Sequence, residues 1–489
     1  MENLLESHQW LSLLPPILAI GLALATRQVF LSLAAGIWLG FVILANGNPL
    51  TGTFVAIDGA VAVFSDAGNT RVIIFTLLVG ALIALIQRSG GVEGFVQRLL
   101  MWLEGLSTKA NGRGQRKIVE ILAVLTGLLL FIESNISILT VGTVYRPIFD
   151  KLGIPREKLA YITDSTASPS CILIPFNAWG AFITGLIAAQ GIANPFGTLL
   201  AATAVNFYPM LVLAILVFVI LSGKDVGEMR AAERRAAATG ALVRDGAQLM
   251  MEGGASAVEI KPDTTARARF MLLPIIAMVV LMPSFLIMTG EGSGALERLQ
   301  SGSGSKSVLY ATSFAVLFAM ILYKFSGVMK IRESFTQSLS GMGAMVPLAI
   351  LMVLAFTLGA LCRELGTGQY VADVAKQFIS PALVPAMIFL VACFVAFSTG
   401  TSWGTFAIMI AIAVPLAQSM DANISLAIAA SLGGGIFGDH CSPTSDTSII
   451  TSMATANDHI DHVRTQIPYA LIGGGITVGL YLILGLAGV

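Results

Sequence analysis

Uncharged apolar runs of membrane-spanning length recur along this chain, and they restrict its fold more than any other feature. Val205–Leu221 and Ile467–Val489 contain no charged residue. A helix of about 20 apolar residues crosses the ~30 Å hydrocarbon layer of a bilayer. Further apolar segments lie near 11–26, 28–45, 71–87, 118–132, 136–149, 160–189 and 197–222, and a similar series runs from 270 to the end. Lipid offers no hydrogen bonds to the backbone, so runs this long read as helices and the expected fold is an all-α polytopic membrane protein. Charged residues are 11% of the 489, against about a quarter in a soluble domain. Lys+Arg and Asp+Glu are both 28. With no basic patch interleaved with aromatics, nucleic acid is excluded as a partner and the lipid bilayer is the medium. Cys171, Cys362, Cys393 and Cys441 are scattered at spacings that fit neither a disulfide framework nor a zinc site. The opening MENLLESHQW has no Lys or Arg, so it lacks the basic region of a cleavable signal and the first span is expected to persist.

Basic residues then orient the spans. Gly223–Arg269 carries eight Lys/Arg and is expected in the cytoplasm as a partly helical or disordered linker. The same rule places Ser89–Lys117 and Arg146–Lys158 inside. Only about 30 residues separate these two loops, too few for two full spans of about 20. The economical solution is a re-entrant hairpin, about 117–149, with its tip at FIESN, Phe131–Asn135. The first half then makes five crossings plus the hairpin, from outside to inside, so a repeat of it must be inverted. SLLPPILAIGLAL (Ser12–Leu24) echoes FMLLPIIAMVVL (Phe270–Leu281), and Gly80–Leu99 echoes Gly359–Phe378. FIESNISILTVGTVYRP, from Phe131, pairs with FSTGTSWGTFAIMIAIAVP, from Phe397. Three matches in one order predict two inverted repeats, 1–222 and 270–489, joined by the cytoplasmic linker 223–269. Each has about five spans, a re-entrant hairpin (about 117–149 and 381–418) and a broken helix (about 159–189 and 424–456), with both chain termini outside.

The broken helices carry acids among small polar residues. YITDSTASPS (Tyr161–Ser170) and GDHCSPTSDTS (Gly438–Ser448) each place an acid before Ser-Pro: Asp164 with Ser168-Pro169, and Asp439 with Ser442-Pro443. Proline and glycine free backbone carbonyls there as ligands for a desolvated cation. A carboxylate at such depth needs a partner, a cation or a proton. Glu133, Asp164, Asp439 and Asp446 are therefore the primary candidates. Asp164 also fits an N-cap of the following helix, and Glu133 a solvated group in an aqueous vestibule. Ser134, Asn135, Ser168, Asn177, Thr401, Ser402, Ser442 and Thr447 offer neutral oxygens, which equally serve helix–helix hydrogen bonds. His440 fits either a proton relay or a structural donor. His459 and His462, with Asp458 and Asp461 in TANDHIDHVRTQ, have metal-like spacing but read as a solvated interfacial loop.

GDHCSPTSDTSIITSMAT (Gly438–Thr455), with GTSWGTF (Gly400–Phe406) ahead of it, closely resembles the signature segments of the NhaC-type Na+/H+ antiporter family. FIESN followed by DSTASPS resembles that family's first half. The resemblance implies the fold of the ion transporter superfamily, in which two inward-pointing hairpins and two unwound helices form the site, in proteins that are often homodimers. It assigns site roles to Asp439, His440, Ser442, Asp446 and Thr447, with Asp164, Glu133 and Asn135 as first-half counterparts, and Na+ held by Asp439, Asp446 and Asp164. The function it implies is Na+/H+ antiport, with Na+ and H+ as transported substrates and no resident cofactor. Similar proteins also move malate, lactate or amino acids, so a cation-coupled carrier of a small organic acid or amino acid is the alternative. An intramembrane aspartyl-type enzyme is a remote one; repeat symmetry argues against it. A bacterial inner membrane is the expected location.

Overall fold

Backbone groups without water to bond must bond one another, and helices do so locally along almost the whole chain. The computed structural model describes residues 9–26, 28–95, 97–98, 101, 113–131, 133–250, 265–295, 297–298, 302–367, 370, 373–374 and 380–488. The first half contains α1 (Leu14–Thr26), α2 (Val29–Leu44), α3 (Pro49–Ala62), α4 (Ala67–Arg88), α5 (Arg113–Leu129), α6 (Ser134–Lys151), α7 (Arg156–Leu173), α8 (Ala178–Ala188), α9 (Pro195–Ala204) and α10 (Phe207–Ser222). A connecting helix, α11 (Gly227–Thr239), follows. The second half contains α12 (Arg269–Thr289), α13 (Gly304–Phe325), α14 (Ile331–Ala344), α15 (Val346–Glu364), α16 (Val384–Thr399), α17 (Ser402–Ser419), α18 (Ile424–Cys441), α19 (Asp446–Thr455) and α20 (His459–Leu486). Among the described residues, nine helices are long and apolar enough to cross a membrane, or up to 11 if each of two bent pairs is one span. The chain is a multi-pass, all-helical membrane protein.

One bent pair is α7 and α8, inclined by 46°. The other, α2 with the segment Pro49–Ser65, turns by 118°. Asn46 and Gly47 make that turn with φ of 54° and 82°, values for which asparagine and glycine are suited. Asn48 then caps α3 by accepting from the amides of Leu50 and Thr51 at 3.1 and 3.2 Å, and Pro49 occupies the first turn. Helices α3 and α14 are absent from the expected spans. Each is short and carries a stripe of exposed apolar residues, Leu50, Phe54, Ile57 and Val61 on one and Ile331, Phe335 and Leu339 on the other.

Element order recurs between the halves: α1 to α4, a helix pair, a broken helix and a closing helix correspond to α12 to α15, α16 with α17, α18 with α19, and α20. Packing is reciprocal too. Helix α4 contacts α13 and α14, while α15 contacts α2 and α3; α8 contacts α17, while α19 contacts α6. Small residues permit the closest crossing. A Cβ at Gly80 would run into the Gly341 carbonyl oxygen, and one at Gly341 into that of Gly80.

The described part of the expected linker, 223–250, is docked rather than loose; 251–264 lie outside the described residues. Lys158 pairs with Asp225 at 2.5 Å, both buried, Arg116 with Glu233 at 2.8 Å and Arg235 with Glu157 at 2.8 Å. Arg244 pairs with Asp461 at 3.0 Å. The Gln248 amide donates to the Asp458 carboxylate at 2.7 Å, and the Met250 amide to the Asn457 carbonyl at 3.2 Å. Pairing runs both ways: Arg235 and Arg244 of the segment meet acids on α7 and α20, and its Asp225 and Glu233 meet Lys158 of α7 and Arg116 of α5.

Two outcomes follow. Gly80→Ala is expected to destabilise the protein by about 1–3 kcal/mol through overpacking, read as a lower thermal midpoint in detergent. Gly475→Ala, with nothing within 4 Å of its Cβ, should leave that midpoint unchanged or slightly raised. The second concerns Asp458, at the head of α20. Burial alone would raise its pKa, but amides of Gln248, Asp461 and Ile460 and the Arg244 guanidinium hold it below 3.8. A depressed folded-state pKa stabilises above the ordinary value and is lost as pH falls through the lower one. Docking of 244–250 should therefore persist from neutral pH to about 4, followed as hydrogen-exchange protection of the Gln248 and Met250 amides.

Candidate functional site

Each broken helix is stapled to the helix pair of its own half. In the first half the break is 174–177, just beyond Pro169, which α7 accommodates. The Asn177 side-chain amide donates to the carbonyls of Phe131 and Cys171 at 2.8 Å and of Ile174 at 3.1 Å, while its oxygen accepts from the Gly180 amide at 3.1 Å. In the second half the break is 442–445, and the Ser442 hydroxyl donates to the Phe397 carbonyl at 2.7 Å. Phe131 and Phe397 are equivalent in the sequence pairing, and their donors lie 46 and 45 residues downstream. These staples satisfy carbonyls that the breaks expose.

Asp164 lies in the middle of α7, 1% exposed. It is not an N-cap. Its Oδ2 accepts from Gln466 Nε2 at 2.7 Å and Ser448 Oγ at 3.2 Å, and faces His462 Nε2 at 3.2 Å. The Gln466 amide also donates to the His440 carbonyl at 2.5 Å. Capping falls to Glu133 instead: this half-buried residue precedes α6 and accepts from the Ile136 amide at 2.8 Å and Asn135 Nδ2 at 3.0 Å.

Asp439, 1% exposed in the last turn of α18, accepts from Ser445 Oγ at 2.7 Å and Thr447 Oγ1 at 3.5 Å. Ser402 is close by on α17, preceded by Thr401 at its N-cap. Asp446 opens α19 and is solvent-accessible; its Oδ1 accepts from the Thr447 amide at 2.9 Å. The carboxylates feel one another: Asp439 lies in electrostatic range of Asp446 and Asp164, and Glu133 of Asp446. Among the described residues, no lysine or arginine pairs with any of the four. Arg146 turns away, its guanidinium donating to the Ala454 carbonyl at 3.4 Å. Such a cluster is tolerated at this depth only with a cation bound or with carboxyls protonated.

His440 has both ring nitrogens engaged, Nε2 with Ser165 Oγ at 3.0 Å and Nδ1 with Tyr208 OH at 3.1 Å. Ser134 and Ser168 are buried on α6 and α7. The expectation for His459 and His462 is overturned. His462 is 0% exposed against Asp164, and His459 bonds Ser452 Oγ at 3.1 Å and the Pro443 carbonyl at 2.7 Å. Their helix turns inward because Asp458 caps it, which directs His462 and Gln466, four residues apart, onto α7. That spacing in an apolar helix was the available signal for both.

The sequence profile of the Na+/H+ antiporter family matches residues 170–486. The chain belongs to this family. An uncharacterized protein of Haemophilus influenzae is 31% identical over 98% of this chain and 91% of its own length. An arginine/ornithine antiporter of Halobacterium salinarum is 32% identical, over 30% of this chain and 29% of the relative. The fold resembles the crystal structure of the YdaH transporter of Alcanivorax borkumensis, with a TM-score of 0.60 at 12% identity, covering 94% of this chain and 98% of that one. A family of secondary transporters thus accounts for the buried carboxylates.

The staples are tested directly. Asn177→Ala leaves three carbonyls without their donor and is expected to lower the thermal midpoint more than Ser442→Ala, at roughly 1–3 kcal/mol per buried group left unpaired.

Proposed function

We propose that this member of the family is a Na+/H+ antiporter working by alternating access. The observation that carries the reading is the group of four carboxylates, ringed by hydroxyls and amides and, among the described residues, without a lysine or arginine partner. Na+ takes oxygen ligands from Asp439, Asp446 and Asp164, with Ser445, Thr447, Ser448 and Ser402 as neutral donors. Protonation of these carboxylates competes with Na+ and releases it, so one site serves both substrates in turn. Helix pairs α5–α6 and α16–α17 act as re-entrant hairpins. With α7–α8 and α18–α19 they move against a scaffold formed by the remaining helices of two inverted repeats. The reciprocal packing of the halves supports this plan. The basic connecting segment lies in the cytoplasm of a bacterial cell by the positive-inside rule.

A second reading has its own support. First turns meet in pairs near the acids: that of α8 brings Trp179 to 4.8 Å from Trp403 of α17, and Glu133 of α6 is in range of Asp446 of α19. Helix N-termini bind carboxylate groups, and an amino acid with a cationic side chain would bring its own positive charge to the four acids. The name of the Halobacterium relative fits that chemistry.

Purified protein in proteoliposomes with an internal pH dye discriminates them. NaCl is expected to drive proton movement that malate, amino acids and KCl do not. Asp439→Asn and Asp164→Asn should each raise the half-saturating Na+ concentration ~100-fold or abolish exchange, since a buried ionic partner contributes about 3 kcal/mol. Proton movement driven by an amino acid, with none driven by NaCl, favours the second reading. Exchange unchanged in both variants removes these residues from the site.

A further inference from the structure

Helices α7, α19 and α20 pack against one another, and their shared seam is polar from Asp164 to the connecting segment. The polar positions begin at Asn457, just ahead of α20, and continue through His462 to Gln466 on the helix, the last two separated by a rise of about 6 Å. All three are buried, at 0%, 0% and 1% exposure. Each also carries unused hydrogen-bonding capacity. Both side-chain polar atoms of Asn457, His462 Nδ1 and Gln466 Oε1 have no partner among the described residues. An unpaired buried polar atom costs roughly 1–3 kcal/mol, so four of them in a single column are incompatible with a dry seam. Water or a passing cation satisfies them.

The outer end of the column is covered by the connecting segment. The Met250 amide bonds the Asn457 carbonyl, and Leu249 forms a β-bridge with Asp458. Beside it lies a cavity of about 270 Å³ whose lining includes Glu157, Arg235, Arg244, Asp461, Arg464 and Thr465. Two ion pairs cross it, Arg235 with Glu157 and Arg244 with Asp461, and the Arg244 side chain is 51% exposed. A charged vestibule therefore sits over a polar column, separated from it by residues 244–250.

We propose that the Asn457–His462–Gln466 column is the hydrated path between Asp164 and the solution on the side of the connecting segment, and that residues 244–250 are its plug. The proposal rests on the reading of Asp164 as an ion-carrying group. The plug is held by a half-exposed ion pair and three backbone or amide contacts, with no apolar anchor needed to explain its seat. Rising ionic strength screens such a pair, so the path opens as salt accumulates on that face. Regulation is thereby built into the segment that joins the two halves.

Accessibility of Asn457→Cys tests this in the full-length protein in membranes, with the four native cysteines replaced by alanine. The probe is 2-aminoethyl methanethiosulfonate, a small water-soluble cation. Labelling is expected to proceed slowly, to accelerate about tenfold with Arg244→Glu, and to accelerate with added NaCl or choline chloride alike. Ser431→Cys, fully buried on α18, should stay unreactive throughout. A rate at position 457 equal to that at 431, with or without Arg244→Glu, overturns the proposal. Radiolytic footprinting of the chain with its cysteines intact gives a second readout. His462 oxidation should rise in Arg244→Glu, and protection equal to that of the core residue Tyr145 in both proteins overturns the path. Neither readout depends on which solute moves: accelerated labelling without Na+-driven proton flux would refute the antiport reading alone.

Discussion

A carboxylate held inside a protein whose outer solvent is lipid dictates much of this architecture. Asp164 is buried and, among the described residues, has no arginine or lysine paired with it, so its oxygen is met by donors from other helices. Ser448 comes from α19, and His462 and Gln466 from α20. Those two elements can converge on α7 only if the chain between them folds back sharply. The break at 442–445 ends α18 and starts α19, and Asp458 starts α20 a few residues later. One buried charge in the first half thus ties its helix to the last two helices of the second.

Breaking a helix at membrane depth exposes carbonyls, and both breaks meet this cost in the same way. Asn177 and Ser442 each reach to the carbonyl of the phenylalanine at the tip of the neighbouring helix pair. The staple does two jobs at once. It satisfies the backbone, and it joins the broken helix to the pair. Two of the proposed binding groups sit next to these staples, with Glu133 two residues beyond Phe131 and Ser402 five beyond Phe397 in the chain. Reciprocal packing of α8 on α17 and of α19 on α6 then joins the two halves.

Much of this was legible beforehand. Hydropathy showed the spans, and the phenylalanine-led repeats paired the residues whose carbonyls receive the staples; the charge conflict between two basic loops is what motivates reading residues 117–149 as a hairpin. The errors share a cause. TANDHIDHVRTQ reads as a solvated loop because a local window contains five ionisable residues, yet Asp458 is consumed by capping and Arg244, from far away in the chain, neutralises Asp461. His462 is then free to turn inward. The alternative of Asp164 as an N-cap fails, and Glu133 takes a cap in place of the solvated position offered for it, for a related reason. Either acid suits a cap by type, and only the register of the helix starts decides which one occupies the position. The basic linker reads as a tether because the partners of its charges, bases on α5 and α7 and acids on α7 and α20, lie elsewhere in the chain, and no window of sequence contains both sides of those pairs.

The sequence by itself determined the medium, the helical class, the family and the identity of the acids, because these follow from composition and from patterns within one or two turns. Tertiary structure alone decided which donors each acid meets and which part of the chain covers them. Gln466 and Asp164 are 302 residues apart, and their hydrogen bond depends on how whole helices pack. Local spacing can place a side chain on a face of its helix; only the packed fold decides what that face meets.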